Sequence, residues 1–154
     1  MEDAPAFGRI VATNLTSGNG GIGGTYIDAD WVRAIRHGVR PDGKPIFLMP
    51  SHEFNKFSGA DLGLIIAYVK SVPAVDNELP STKVGPLGRV ITLLESELIP
   101  ARVSDHEAPL PPEPVRGVTV EYGEYMGFVC QICHGDALSG GSVPGDEPDA
   151  PPAP

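Results

Sequence analysis

Apolar side chains recur at helical spacing in two stretches of this chain. Between Asp28 and His37, Ala29, Val32, Ala34 and Ile35 offer apolar contacts, with Asp28 suited to the N-cap and Gly38 to the C-terminal stop. From Gly59 to Val72, Leu62, Ile65, Ile66 and Val69 share one face; Ser58 can cap the start and Pro73 ends the run. A shorter amphipathic piece spans Leu87 to Leu98, and Val118 to Val129 resumes a helix-like pattern through Tyr122, Tyr125, Met126 and Val129. Before the first helix, Phe7 to Thr16 mixes β-branched residues with Asn14, and Ser17 to Thr25 holds five glycines in nine residues. That entry predicts irregular loop.

Between these elements proline and glycine set the path. Pro41 to Lys44 is a strong turn, and Pro45 to Pro50 is an apolar stretch fenced by prolines, which predicts an extended loop against the core. Pro109 to Pro114 carries four prolines in six residues and is expected to be extended and semi-rigid. With 19 Gly and 17 Pro in 154 residues, much of the chain is turn or linker and its own core is thin. A large apolar cofactor would supply the buried surface that the side chains lack.

The formal charge of −9 is uneven: Gly117 to Pro154 has six acidic residues and no Lys or Arg. Nucleic acid is therefore a poor partner. The N-terminus lacks the basic start and apolar run of a signal peptide, and the longest apolar-rich segment, Val90 to Ile99, is too short to span a membrane and carries Glu95 and Glu97. Read literally, these features describe a soluble cytosolic protein.

The chemistry is concentrated at Cys130, Cys133 and His134, which read C-x-x-C-H. Two thiols one helical turn apart reach the two vinyl groups of a haem, and the next residue sets an imidazole under the iron. Such attachment normally follows export, which conflicts with the missing signal sequence. A zinc module built on Cys130, Cys133 and His134 needs a fourth ligand from another histidine. A thioredoxin-like pair would need a long helix afterwards, and the glycine-rich loop from Gly135 to Gly141 forbids one. Met49 sits on the proline-fixed loop, where a thioether suits a distal haem ligand; residue type alone favours core packing. His37, His52 and His106 are reserve ligands, with His52 the plausible substitute for Met49 and His37 more a helix-capping or surface residue. Arg33, Arg36 or Arg40 are candidates to neutralise a haem propionate, and spacing selects none of them.

Phe7 to Thr16, Gly21 to Gly24, Asp30 to Val39, Pro41 to Pro50 with its Leu-Met-Pro end, and Asp61 to Pro73 together resemble the later two-thirds of a class I cytochrome c domain. The kind is that of multihaem cytochrome subunits of membrane-bound alcohol and gluconate dehydrogenases. Val118 to Tyr125 and Cys130 to Gly141 resemble the opening of the next such domain. The resemblance implies a mostly α fold, with cytochrome c-like helices and long loops around one covalent haem c per chain, and Met49 as its distal ligand. It implies an electron carrier within an oxidoreductase complex, itself no enzyme, on the periplasmic or extracytoplasmic face of a membrane. The implied partners are a dehydrogenase subunit and a quinone or terminal oxidase chain, with membrane association only through them.

Three segments follow: residues 1–75 as the end of one cytochrome domain, 76–116 as a Pro-rich linker, and 117–154 as the start of the next. The first has a Met loop without its own C-x-x-C-H; the last has the C-x-x-C-H without a Met loop. The chain is thus expected to be a window across a tandem cytochrome, which would account for the missing signal. Two outcomes are open. The pieces assemble one haem site from Cys130, Cys133, His134 and Met49, as in a circularly permuted domain with the ends near Ala4 and Pro154 close together, or the chain is a truncated, non-functional fragment.

Overall fold

The computed structural model describes residues 6–95, 98–135 and 137–140. The architecture is mostly helical: α1 (Asp28–His37), α2 (Ser51–Phe54), α3 (Gly59–Ser71), α4 (Pro86–Leu94), α5 (Val120–Gly127) and α6 (Gln131–His134). One antiparallel ladder joins β1 (Gly8–Arg9) to β2 (Lys83–Val84), pairing Gly8 with Val84 and Arg9 with Lys83.

The core lies where α1 crosses α3. Trp31 and Ile35 of α1 bury against Leu62 and Ile66 of α3, and Ile22, Tyr26, Met49, Phe54, Phe57, Ile65 and Val69 pack around them. Both helices occupy their expected ranges, but α1 starts differently. Ile27, extended at φ −83° and ψ 168°, is its N-cap residue, and the Asp30 carboxylate accepts from the Ile27 N–H at 3.2 Å. Asp28 is instead the first helical residue and pairs with Lys70 Nζ at 2.6 Å, tying the start of α1 to the end of α3. Gly38 closes α1 as expected, at φ 63°; a Cβ there would sit 2.6 Å from Ser51 Oγ, so both conformation and space require glycine. At α3 the Ser58 hydroxyl accepts from the Asp61 N–H at 3.3 Å, the expected cap.

The glycine-rich entry is ordered by a neighbour distant in sequence. Residues 75–84 run alongside it: Asn14 Nδ2 donates to the Val75 carbonyl at 2.8 Å, the Asn19 N–H to Asp76 Oδ1 at 2.8 Å, and the Val11 N–H to Thr82 Oγ1 at 3.0 Å. The amphipathic piece forms α4 but ends at Leu94, because Glu95 leaves the helical region at φ −105° and ψ 89°. Leu87, Val90, Leu93 and Leu94 of α4 are exposed.

From residue 98 the connector is fastened to α1 and α2. Ser104 Oγ donates to the Pro100 carbonyl at 2.9 Å, so in the buried Ser51–Ser104 contact at 3.1 Å the proton comes from Ser51. Arg36, only 4% exposed, donates to the carbonyls of Asn55 (3.1 Å), Ala108 (2.6 Å) and Pro109 (2.9 Å). A buried guanidinium is tolerated here because main-chain carbonyls replace its water. This argues against Arg36 as a propionate partner: the side chain is buried and three of its N–H donors hold main-chain carbonyls of the fold. The expected α5 begins two residues late, at Val120, where extended Thr119 caps it by accepting from the Tyr122 N–H at 3.2 Å. The expectation that the ends near Ala4 and Pro154 approach each other concerns residues outside those described.

Arg36→Ala would leave three carbonyls short of a charged donor and release the connector. Urea unfolding is expected to show a loss of about 2–4 kcal/mol, with faster proteolysis between residues 98 and 116.

Candidate haem-attachment site

The thiol segment is built from one helical run. α5 passes through a 3-10 turn at Phe128–Cys130 directly into α6, and Gly135 ends it at φ 74°. Cys130 closes the 3-10 turn and Cys133 lies within α6, so the two thiols are one turn apart; both are free and exposed. His134 is the last residue of α6 and is half-buried. Exposed apolar side chains surround the motif: Met126 is 55% accessible, Leu138 49% and Val129 36%.

Met49 comes from the other end of the chain. It sits half-buried between Leu48, whose φ of 60° is strained for a leucine, and Pro50, and it packs against the Trp31–Ile66 core. The Leu48 N–H donates to the Leu98 carbonyl at 3.3 Å, so the connector braces this loop as well.

The segments that carry Met49 and the C-x-x-C-H dock on each other. Phe128, buried just before Cys130, meets Phe57 edge-on with ring centroids 4.9 Å apart, and Tyr125 meets Phe128 at 5.8 Å. The Tyr125 hydroxyl donates to Asp61 Oδ2 at 2.6 Å and accepts from the Ser58 N–H at 3.1 Å, bonding to the N-terminus of α3. Burial and the Asp61 carboxylate push the Tyr125 pKa above its ordinary value. Phe57 and Phe128 were not recognisable as the docking pair from sequence: an aromatic in each of two separate segments carries no pairing signal.

The remaining candidates separate by their partners. Arg33 is paired with Asp30 at 3.2 Å. Arg40 differs, since its buried Nε has no hydrogen-bond partner and Asp42 Oδ1 stands 3.7 Å away. The buried indole Nε1 of Trp31 is likewise without a partner, and Tyr26, whose pKa burial pushes above its ordinary value, stacks edge-on to Trp31 with ring centroids 5.2 Å apart. Each of these buried donors is suited to an added acceptor such as a carboxylate. His52 has a buried, unpartnered Nδ1, and His37 and His106 face each other. A groove of about 630 Å³ between α1 and α3 is lined by Val32, Leu62, Ile66 and Leu110 among others, and by none of Cys130, Cys133, His134 or Met49. Among the described residues no group of three or more His, Cys, Asp or Glu is placed to hold a metal ion, and no helix is long and apolar enough to cross a membrane.

No protein-family model matches the chain. Over 79 residues, 49% of this chain, it is 35% identical to the fructose dehydrogenase cytochrome subunit of Gluconobacter japonicus. The matched region is 16% of that protein, so the chain spans about a sixth of the relative's length.

Phe128→Ala is expected to cost about 3–5 kcal/mol and to undock the thiol segment, read as increased hydrogen exchange over residues 120–134. Tyr125→Phe removes the bonds to Asp61 and Ser58 and is expected to cost about 1–2 kcal/mol. Because the folded-state pKa of Tyr125 is raised, its contribution is complete below the ordinary tyrosine value of 10.0 and declines as pH rises past it. The stabilities of wild type and Tyr125→Phe, from alkaline unfolding curves, should approach each other as pH rises above that value and through the raised folded-state pKa.

Proposed function

We propose that this chain is a c-type haem electron-transfer unit of a dehydrogenase cytochrome subunit, with haem c held covalently by Cys130 and Cys133 and ligated by His134 and Met49. The observation that carries the reading is the pair of free, exposed thiols one helical turn apart, followed by an imidazole and docked through Phe128 on the segment that bears the Met49 loop. The cytochrome subunit from Gluconobacter japonicus, a relative by sequence, supports it.

The residues present fit the group in three respects. Met126, Val129 and Leu138 leave apolar surface uncovered beside the thiols. Trp31 and Arg40 hold buried donors that lack an acceptor, which a propionate would satisfy. Met49 is on a loop whose backbone is fixed by Pro50 and by the Leu48–Leu98 hydrogen bond, which positions its flexible thioether at one edge of the core. Arg40, in place of Arg33 or Arg36, is the cation assigned to the propionate.

When bound, the group supplies reversible one-electron chemistry. The chain's residues set its conditions. His134 and Met49 would hold the iron, and a histidine–methionine ligand pair would favour a high reduction potential and electron transfer over substrate chemistry. The exposed Glu121 and Glu124 give the thiol segment an acidic flank that favours a basic redox partner; in this reading the donor is a dehydrogenase subunit and the acceptor a quinone or terminal oxidase chain. This reading locates the protein on the extracytoplasmic side, where haem attachment takes place. A zinc module using Cys130, Cys133 and His134 is less well supported, because a structural zinc needs four ligands and among the described residues no group of three or more His, Cys, Asp or Glu is placed to hold a metal ion.

The test is expression with an export signal and haem-attachment machinery. A covalent c-type spectrum is expected, with low-spin Met-ligated features that disappear in Met49→Ala together with a fall in reduction potential. Failure to acquire covalent haem under these conditions sinks the reading; covalent haem indifferent to Met49 removes Met49 from it.

A further inference from the structure

Two histidines that the haem reading leaves unused meet at the C-terminal end of α1. His37 Nδ1 and His106 Nδ1 are 3.1 Å apart, with ring centroids 5.2 Å apart and planes inclined at 41°. His106 Nε2 lies 2.8 Å from the Ala101 carbonyl oxygen. A carbonyl only accepts, so Nε2 carries a proton; in the neutral ring the lone pair of His106 Nδ1 then faces His37 and accepts from the His37 Nδ1–H.

Each ring is held from its own side. His37 ends α1, and the next residue, Gly38, returns its N–H to the Ala34 carbonyl at 3.0 Å. His106 lies in the connector just before Ala108 and Pro109, whose carbonyls Arg36 grips, and just after Asp105, whose carboxylate accepts from the N–H groups of Glu107 (3.0 Å) and Ala108 (3.1 Å).

We propose that His37 and His106 form a two-imidazole site for a divalent transition-metal ion of the Cu²⁺, Ni²⁺ or Zn²⁺ class, each binding through Nδ1, with water in the remaining positions. Two nitrogens at about 2.0–2.1 Å from one ion, subtending an angle between square and tetrahedral, are roughly 2.8–3.4 Å apart. The observed 3.1 Å falls inside that window. Binding takes the place of the His37 Nδ1–H···Nδ1 His106 hydrogen bond: His37 moves its proton to Nε2, and the broad χ2 torsion of histidine lets each ring turn its Nδ1 towards the ion. The Ala101 carbonyl then serves as the outer partner that fixes the tautomer of a metal-bound imidazole.

The surroundings keep the site available. Burial, His106 and the cations Arg36 and Arg33 hold the His37 pKa below its ordinary value, which favours the neutral imidazole that a metal ion needs. Asp105 is occupied with its own main chain, and no third ligand gathers among the described residues. Two imidazoles and open positions give the ion series its usual order, with Cu²⁺ strongest. A bound ion would cross-link the end of α1, from which the chain enters the Met49 loop, to the connector that leads to Cys130. Binding only the folded arrangement, it would stabilise that arrangement.

The test uses the full chain with haem attached at Cys130 and Cys133, and in parallel the haem-free chain with both thiols alkylated and His134→Ala, each titrated with Cu²⁺ and followed by calorimetry and electron paramagnetic resonance. One equivalent is expected to bind with hyperfine coupling to two nitrogens. His37→Ala and His106→Ala should each weaken binding roughly tenfold or more and reduce the coupling to a single nitrogen at most, while His52→Ala leaves both unchanged. Circular dichroism of each variant separates ligand loss from misfolding, and His106→Gln provides a milder substitute. Affinity unaffected by either substitution, or copper without coupling to two nitrogens, would overturn the site.

Discussion

The buried guanidinium of Arg36 is the constraint on which the rest of the structure depends. Its three carbonyl acceptors belong to the end of α2 and to the connector, so one side chain on α1 decides where residues 108 and 109 run. That path delivers the chain to Thr119 and hence sets where α5 can begin. Taking the charge out of water is costly, and only the simultaneous capture of three carbonyls offsets it. The buried Ser51–Ser104 pair adds a second, neutral fastening between α2 and the same connector.

A long proline-rich connector would otherwise be a weak link between two small apolar units. It is held along much of its length: Val75 to Val84 against the N-terminal loop, and Leu98 to Pro109 against the Met49 loop and α1. The thiol segment then reaches α3 by aromatic contact and by the Tyr125 hydroxyl, which bonds at the helix start where main-chain N–H groups lack partners. Polar fastening thus sets the route and apolar contact completes the docking.

The same arrangement leaves chemistry exposed. The core is small, both thiols face outward, and large apolar side chains on α3, α4 and α5 remain in contact with solvent, including Tyr68, Leu94 and Met126. A chain so short of buried surface has room for a group that brings its own. The orphaned donors of Trp31 and Arg40 point to the same deficit in polar terms.

Much of this was legible in the sequence. Helical spacing of Leu62 and Ile66, the Ser58 cap, the Gly38 stop and the turn at Pro41 to Lys44 are local signals, and local backbone preference was enough to decide them. The C-x-x-C-H was equally plain, because its chemistry resides in a spacing of four residues. What needed the tertiary structure was every relation across the connector. The ladder between β1 and β2, the docking of Phe128 on Phe57, the diversion of Arg36 into the fold and the meeting of His37 with His106 join residues 69 to 76 positions apart, and no periodicity encodes them. Such contacts depend on which buried donor finds which acceptor once the chain has closed, and only the folded arrangement determines that.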